Sequence, residues 1–248
     1  MDSGLIITIL VSTFVGAVAQ RIAGLGFALL IAPVFAILLG PHAGVLMVNA
    51  CGIFSSSVIL FRVWRDIDWS MYRWLAGASL LGSIPGSIAA VHLPPAPLSV
   101  IIGGVVLIAL TLSLLLQRTS VVVSGNGPKA AAGFLSGLTN SMAGVGGPAV
   151  SAYAMLTHWP QRPFAATLQP FFVTIGLVAV ITKSVAAPGQ LPSFGWPVWA
   201  GIGVLIVAGI FTGEKLQRRI RDEHARFIVV VIAFLGAASA LLKGLIDL

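Results

Sequence analysis

The sequence contains one short pattern twice, as QRIAGLG at residues 20–26 and as NSMAGVG at residues 140–146. In each copy an amide residue is followed, after two intervening positions, by Ala, Gly, an apolar residue and Gly. The copies lie 120 residues apart in a chain of 248, so each half of the chain contains one. Both interrupt apolar runs, and a Gly-rich break in an apolar run calls for a physical explanation.

Composition limits the protein class. Charged residues make up 8% of the chain and hydrophobic residues 58%, whereas an average soluble domain is about 25% charged. The polar residues are too few to cover a water-soluble fold, and disordered chains are poor in hydrophobic residues and rich in charge. The apolar runs do not alternate with polar residues as the strands of an outer-membrane barrel do. The sequence therefore predicts a bundle of membrane helices.

Ten apolar stretches follow one another along the chain. They lie at residues 4–20, 25–39, 43–61, 74–91, 98–116, 130–142, 147–157, 164–182, 196–212 and 227–246. A spanning helix needs about 20 residues, with a range of about 17–25. By this criterion we expect the third, fourth, fifth, eighth, ninth and tenth stretches to span the membrane. The other four are shorter, and Gly, Asn, Gln or Arg interrupts them.

The positions of the cationic residues predict the orientation in the membrane. If the chain alternates between sides, 11 of the 14 Lys and Arg residues fall in loops on one side, the exceptions being Arg21, Lys183 and Lys243. The positive-inside rule makes those loops cytoplasmic. We therefore expect a multi-pass protein of the cell (inner) membrane with both termini outside.

The repeat extends beyond the two Gly motifs. An offset of 120 residues pairs Phe14 with Phe134 and Asn49 with Gln169, and an offset of 127 pairs Gly82 with Gly209 and Gly86 with Gly213. The last two pairs are spaced as in small-xxx-small motifs, which favours a role in close helix packing.

The predicted architecture is an all-α polytopic membrane protein made of two membrane repeats, residues 1–120 and 121–248. Each half contains five stretches, and two copies of an odd unit must cross the bilayer in opposite directions. Inverted repeats of this kind occur in many secondary transporters. We expect each half to begin with a short, Gly-broken hairpin followed by three spanning helices. The charge count allows the hairpins to be either re-entrant or fully spanning.

The Gly-rich breaks suggest an anion site near the midplane. A helix that begins at such a break presents free N–H groups and a partial positive charge, and both favour an anion. Gln20 and Asn140 would add amide donors, and Asn49 and Gln169 could supply two more. The candidate substrate-binding residues are Gln20, Arg21, Gly24, Gly26, Asn49, Asn140, Gly144, Gly146, Gly147 and Gln169.

Arg21 has two interpretations. If the first hairpin is re-entrant, its charge lies near mid-bilayer, where it costs at least about 2.5–3.5 kcal/mol unless an anion compensates it. If both members of the hairpin span, Arg21 lies in a cytoplasmic loop.

Signs of enzyme chemistry are lacking. The sequence contains no Cys/His metal cluster, no His-Glu-x-x-His motif and no nucleotide-phosphate loop. Its carboxylates all lie near predicted helix ends or loops. We therefore expect no catalytic residues, no metal and no cofactor.

The two Gly motifs, AGLG at residues 23–26 and AGVGGP at residues 143–148, occur within a duplicated layout that resembles the sulfite exporter TauE/SafE family. That family belongs to the wider toluenesulfonate uptake permease superfamily, and the resemblance covers essentially the whole chain. It implies a membrane transporter for sulfite, organosulfonates or related sulfur-containing anions.

The first hypothesis is therefore a secondary transporter that exports a small sulfur-containing anion by alternating access. A passive anion channel with the same donors is the alternative, and an intramembrane enzyme or a structural subunit is a third. The expected partners are a small anion and the lipid bilayer, not nucleic acid. The exact substrate, the coupling ion and any homo-oligomer are left open.

Overall fold

The structure, a computed structural model, describes residues 3–23, 26–116, 122–217 and 222–248. Within them the chain forms ten helices and no strand. The helices are α1 (Ser3–Ala23), α2 (Gly26–Leu39), α3 (Pro41–Val63), α4 (Trp69–His92), α5 (Pro95–Leu116), α6 (Asn126–Ala143), α7 (Gly147–Thr157), α8 (Gln161–Ala186), α9 (Trp196–Gln217) and α10 (Asp222–Ile246). Each helix coincides with one of the ten apolar stretches, so the predicted all-helical class is confirmed.

Helix length agrees with the expectation for most elements. Six helices, α1, α3, α4, α5, α8 and α9, contain a segment long and apolar enough to cross a membrane. The helices α2 and α7 are short, with 14 and 11 residues, as the sequence predicts. In α10, the apolar segment Val230–Ile246 lies at the lower limit of the length that a span needs.

The expectation that the first stretch is too short was wrong. Helix α1 continues through Gln20 and Arg21 to Ala23 and contains 21 residues, enough to span about 30 Å. The polar residues do not end it because each has a partner on another helix. The Oε1 of Gln20 accepts a hydrogen bond from the Ser55 hydroxyl at 2.7 Å, and Arg21 forms an ion pair with Glu214 at 3.0 Å.

The major contacts between the halves are α1 with α9, α4 with α6, α3 with α8 and α5 with α10. The contacts of α9 on α1 repeat those of α4 on α6. A Cβ on Gly209 would lie 2.8 Å from the carbonyl oxygen of Phe14, and one on Gly82 would overlap the carbonyl oxygen of Phe134. Gly209 pairs with Gly82 in the sequence repeat, as Phe14 does with Phe134. The predicted packing role of these glycines is confirmed.

The salt bridges define one end of the bundle, which we call the basic end. Arg62 at the end of α3 pairs with Glu214 near the end of α9 at 2.9 Å. Arg162 at the start of α8 pairs with Asp66, just after α3, at 3.0 Å. The start of α3 and the end of α8 therefore lie at the opposite end.

Candidate functional site

Helices α1, α2, α3, α6, α7 and α8 surround a cavity inside the bundle. Its lining comprises Gln20, Phe27, Ala28, Leu29, Val48, Asn49, Gly52, Ser56, Asn140, Gly144, Val145, Gly146, Gly147, Pro148 and Phe172. The cavity offers about 50 Å³ to the centres of water-sized spheres, and a single water needs about 10–15 Å³ on that measure. It can therefore hold a few waters or a small polyatomic anion.

The positions on α3 that the cavity residues contact place the cavity well inside the bundle. We call residues 20–26 the first tip and residues 140–147 the second tip. Gln20 at the first tip is hydrogen-bonded to Ser55, and Asn140 at the second tip is hydrogen-bonded to Asn49. Ser55 and Asn49 are six residues apart on α3, or about 9 Å along the helix. Ser55 lies about 12 Å before the end of α3, and Asn49 a similar distance after its start. Both tips thus contact the middle part of α3.

The amide groups in the cavity are oriented by their partners. The Nδ2 of Asn140 donates to the Oδ1 of Asn49 at 2.7 Å, and the Nδ2 of Asn49 donates to the carbonyl of Val45 at 2.9 Å. Each of these two NH₂ groups retains a second N–H. The Nε2 of Gln20 has no protein acceptor among the described residues, since its oxygen alone is engaged, by Ser55. These side chains therefore offer several N–H donors to the cavity, beside the Oδ1 of Asn140, which accepts no hydrogen bond from the described residues.

The start of α7 adds backbone donors. Helix α6 ends at Gly144, which has a left-handed φ of +74°, and its N–H donates to the carbonyl of Asn140 at 2.7 Å. Helix α7 then begins at Gly147 with Pro148 in its first turn, as the sequence predicts. The first N–H groups of a helix have no acceptor within it, and they carry the positive end of the helix dipole.

Close packing explains the glycines of the second tip. A Cβ on Gly146 would lie 2.5 Å from the Cδ1 of Ile175 and 3.0 Å from the Cβ of Asn140. A Cβ on Gly144 would lie 3.2 Å from the Cγ1 of Val48, besides the strain of a positive φ. The glycines therefore let the tip lie directly against the residues that line the cavity.

The first tip reaches the same cavity through α2. That helix begins at Gly26, and three residues of its first turn, Phe27, Ala28 and Leu29, belong to the lining. Gly24 lies outside the described residues. The beginnings of two short helices, one from each half, therefore meet at one cavity.

The electrostatics of the cavity favour an anion. Among the described residues of its lining there is no charged side chain, and the walls between the donors are apolar, with Phe27, Val48 and Phe172 among them. In such a low-dielectric environment a hydrogen bond to a charged group is stronger than in water. N–H groups and a helix N-terminus attract negative charge, and the lining has no carboxylate to repel it.

Arg21 and Gln169 are predicted site residues whose side chains do not line the cavity. Arg21 lies in the last turn of α1 and pairs with Glu214, and it does not contribute to the lining. Gln169 is buried in α8, where its Nε2 donates to the carbonyl of Ala165 at 3.0 Å, and its Oε1 is buried without a partner in the described structure.

The sequence analysis missed Ser56, Gly52 and Phe172, which also line the cavity. The helical period could have identified Ser56, because it lies seven residues, two turns, after Asn49 and so shares its face of α3. Phe172 lies three residues after Gln169 on α8, yet nothing in the sequence distinguishes it from the other apolar residues of that helix.

Two short helices that begin at one cavity inside a helical bundle are a feature of many multi-pass transporters. A family model described as Sulfite exporter TauE/SafE matches residues 8–240, nearly the whole chain. The chain belongs to this family and is thus a membrane transporter of a sulfite-exporting family, in agreement with the resemblance noted in its sequence. Comparison with curated proteins and with solved structures gives no significant match.

Proposed function

We propose that the protein is a secondary transporter that exports a small sulfur-containing anion, such as sulfite or an organosulfonate, through the cavity between the two tips. One observation carries this proposal: donors from both halves of the chain meet at a cavity whose lining, as far as the structure describes it, contains no charged side chain. Gln20, Asn49, Asn140 and the start of α7 form the proposed binding site. Arg21 and Gln169 are left out of it because neither reaches the cavity.

Cavity size limits the substrate. Sulfite has four non-hydrogen atoms, and a space for the centres of a few waters suits an anion of this kind. An organosulfonate carries additional carbon atoms, which would have to contact the apolar wall formed by Phe27, Val48 and Phe172. We therefore propose sulfite or a similarly small oxyanion as the preferred substrate.

The proposed mechanism is alternating access around this fixed site. In support, the contacts of α1 with α9 resemble those of α6 with α4, as two inverted copies, residues 1–120 and 121–248, would produce. Inverted repeats allow one half to rock against the other while the site stays near the midplane. The basic end would face the cytoplasm and both termini the outside.

The separate positions of Gln20 and Asn140 along α3 suit such a movement. Each tip is attached to α3 by one side-chain hydrogen bond, to Ser55 for the first tip and to Asn49 for the second. Gln20 and Ser55 both belong to the first half, whereas the Asn140–Asn49 bond joins the two halves. Relative motion of the halves would therefore break the Asn140–Asn49 bond and keep the Gln20–Ser55 bond.

Counterflow in proteoliposomes tests the transporter against the channel alternative. Vesicles loaded with unlabelled sulfite, kept anaerobic, are diluted into a trace of ³⁵S-labelled sulfite. A carrier accumulates the label transiently, because exchange does not need net flux, and the rate saturates with concentration. A channel gives no accumulation above equilibrium and shows conductance that a voltage clamp detects.

A matched pair of variants connects the flux to the site. Asn140→Ala removes a cavity donor, whereas Thr139→Ala removes the neighbouring hydroxyl, which bonds only to carbonyls of its own helix. We expect counterflow to fall about tenfold or more with Asn140→Ala, the usual effect of losing a hydrogen bond to a charged group. Equal rates in the two variants would exclude the cavity as the transport site.

A further inference from the structure

A row of polar residues extends beyond the cavity along the contact between α3 and α8. On α3, His42, Asn49 and Ser56 follow one another at intervals of seven residues, which places them on one face. Asn49 and Ser56 line the cavity. His42 lies two turns, or about 10 Å, from Asn49 toward the end of the bundle opposite to the basic end.

Helix α8 carries a matching row in the opposite direction, with Gln169, Gly176 and Lys183 at the same interval. The two rows face each other, since a Cβ on Gly176 would lie 3.6 Å from the carbonyl oxygen of Asn49. Because α3 and α8 are antiparallel, His42 and Lys183 each lie seven residues from this contact and come opposite each other at the far end, where the two groups interact electrostatically. The polar row thus leads from the cavity to these two side chains.

Lys183 is an unusual residue for this position. Its relative exposure is 1%, so the side chain does not reach the surface. Throughout the described residues its Nζ has neither a hydrogen-bond partner nor an ion-pair partner. The buried Nδ1 of His42 is also without one, although the imidazole interacts with the backbone of Leu93. A buried cation without a partner is strongly unfavourable. An anion would supply the acceptors that the three N–H groups of the ammonium lack.

We propose that Lys183 and His42 form a second anion-binding site, about 10 Å from the cavity toward the end opposite the basic end. This inference rests on the proposed function, because it places the second site on the path by which the exported anion would leave. The ligand is the same kind of oxyanion that the cavity binds.

The contact between the two sites explains why they are separate. Gly176 lies one turn after Phe172 on α8, and a Cβ on it would lie 2.8 Å from the Cγ1 of Ile53, so α3 and α8 are in close contact where the cavity ends on the α8 side. An anion can pass from the first site to the second only when this part of the α3–α8 contact opens. The cation at the far side makes that passage favourable for an anion.

Equilibrium binding of ³⁵S-labelled sulfite to the purified full-length protein, under anaerobic conditions, tests this inference. We expect two binding components in the wild type. Lys183→Met, which keeps the length and removes the charge, should weaken the second component by about tenfold or more and leave the first unchanged. Lys183→Arg should retain both components. Lys243→Met is the matched control, because Lys243 is an exposed lysine at the same end.

The melting temperature of Lys183→Met, measured with gluconate as the only anion, shows whether the substitution affects folding and not only anion binding. Because it removes an uncompensated buried charge, Lys183→Met should melt at or above the wild-type temperature there. Lower melting would show that Lys183 has a structural partner and would overturn the proposal. So would unchanged sulfite binding in Lys183→Met, or an equal loss in Lys243→Met.

Asn140→Ala separates the two proposals. We expect this variant to lose the first component and retain the second. If it binds sulfite with both components, the cavity is not the transport site, yet the loss caused by Lys183→Met would still establish the second site. If Asn140→Ala loses the first component but Lys183→Met leaves sulfite binding unchanged, the proposed function stands and the second site is excluded.

Discussion

Gly209→Ala tests how closely the two halves of the chain pack. Gly209 lies on α9 where it crosses α1, and an added Cβ would lie 2.7 Å from the Cβ of Ala17 and 2.8 Å from the carbonyl oxygen of Phe14. Real Cβ atoms essentially never come closer than 3.0 Å to such atoms. Neither atom can rotate away, because one is a Cβ and the other belongs to the backbone. The two helices must therefore move apart.

The magnitude follows from two opposing effects. Overpacking of a well-packed interface costs about 1–3 kcal/mol. Replacing a glycine within a helix by alanine returns about 0.5–1 kcal/mol. The net expectation is a loss of roughly 0.5–2 kcal/mol in the free energy of unfolding. Gly203→Ala on the same helix is the control, since its Cβ would lie 3.5 Å from the Cζ of Phe54, an ordinary contact.

Thermal denaturation of the purified protein, followed by the loss of the monodisperse peak in size-exclusion chromatography, measures the difference. We expect Gly209→Ala to melt below the wild type and Gly203→Ala to melt at or slightly above it. Gly82 on α4 is the counterpart of Gly209 in the repeat. Gly82→Ala should be more destabilised than Gly209→Ala, because its Cβ would overlap the carbonyl oxygen of Phe134. Equal melting of Gly209→Ala and Gly203→Ala would refute the close α1–α9 contact.

Three further substitutions test other contacts. Glu214→Gln removes the shared partner of Arg21 and Arg62. For such partly exposed ion pairs we expect a loss of about 1 kcal/mol in stability, measured by thermal denaturation. The difference from the wild type should disappear in high salt if its cause is electrostatic. Gly144→Ala forces a side chain into the left-handed region at φ +74°, which costs about 1–2 kcal/mol, and both the melting temperature and the sulfite flux should fall. Ser55→Ala leaves the Oε1 of Gln20 without its donor, which costs about 1–3 kcal/mol in stability. Because Gln20 loses the bond that orients it, the KM for sulfite transport should rise. An unchanged KM would remove Gln20 from the binding site.

The ten helices could be predicted because hydropathy and Gly or Pro punctuation are local properties of a membrane chain. The length of α1 could not, because Gln20 and Arg21 looked like the end of an apolar stretch. Their partners, Ser55 and Glu214, come from α3 and α9. Contacts of that kind depend on which helices become neighbours, and no local pattern contains this information.

The candidate site was predictable where the sequence is duplicated. The repeated amide and Gly pattern identified Gln20 and Asn140, which the structure brings to one cavity, together with Asn49. The same repeat also suggested Gln169, the counterpart of Asn49, yet that side chain is engaged with its own helix at Ala165. A sequence repeat predicts equivalent backbone positions, whereas the direction of a long side chain depends on its neighbours.

Lys183 shows a further limit. In the sequence it counted only as an exception to the distribution of cationic residues, near a helix end where a lysine commonly extends to the surface. The structure buries it in the contact between α3 and α8 instead. Burial of one residue at a helix end depends on which helix packs against it, which the sequence pattern does not define.

The central claim is that the cavity at the two tips binds the anion, and thermal stabilisation by sulfite tests it most directly. A ligand that binds only the folded protein stabilises it by about 2.7 kcal/mol at a concentration one hundred times its Kd. The wild type and Thr139→Ala should gain the same rise in melting temperature with sulfite, and Asn140→Ala should lose most of it. Stabilisation of Asn140→Ala equal to that of the wild type would contradict the claim and place the anion elsewhere.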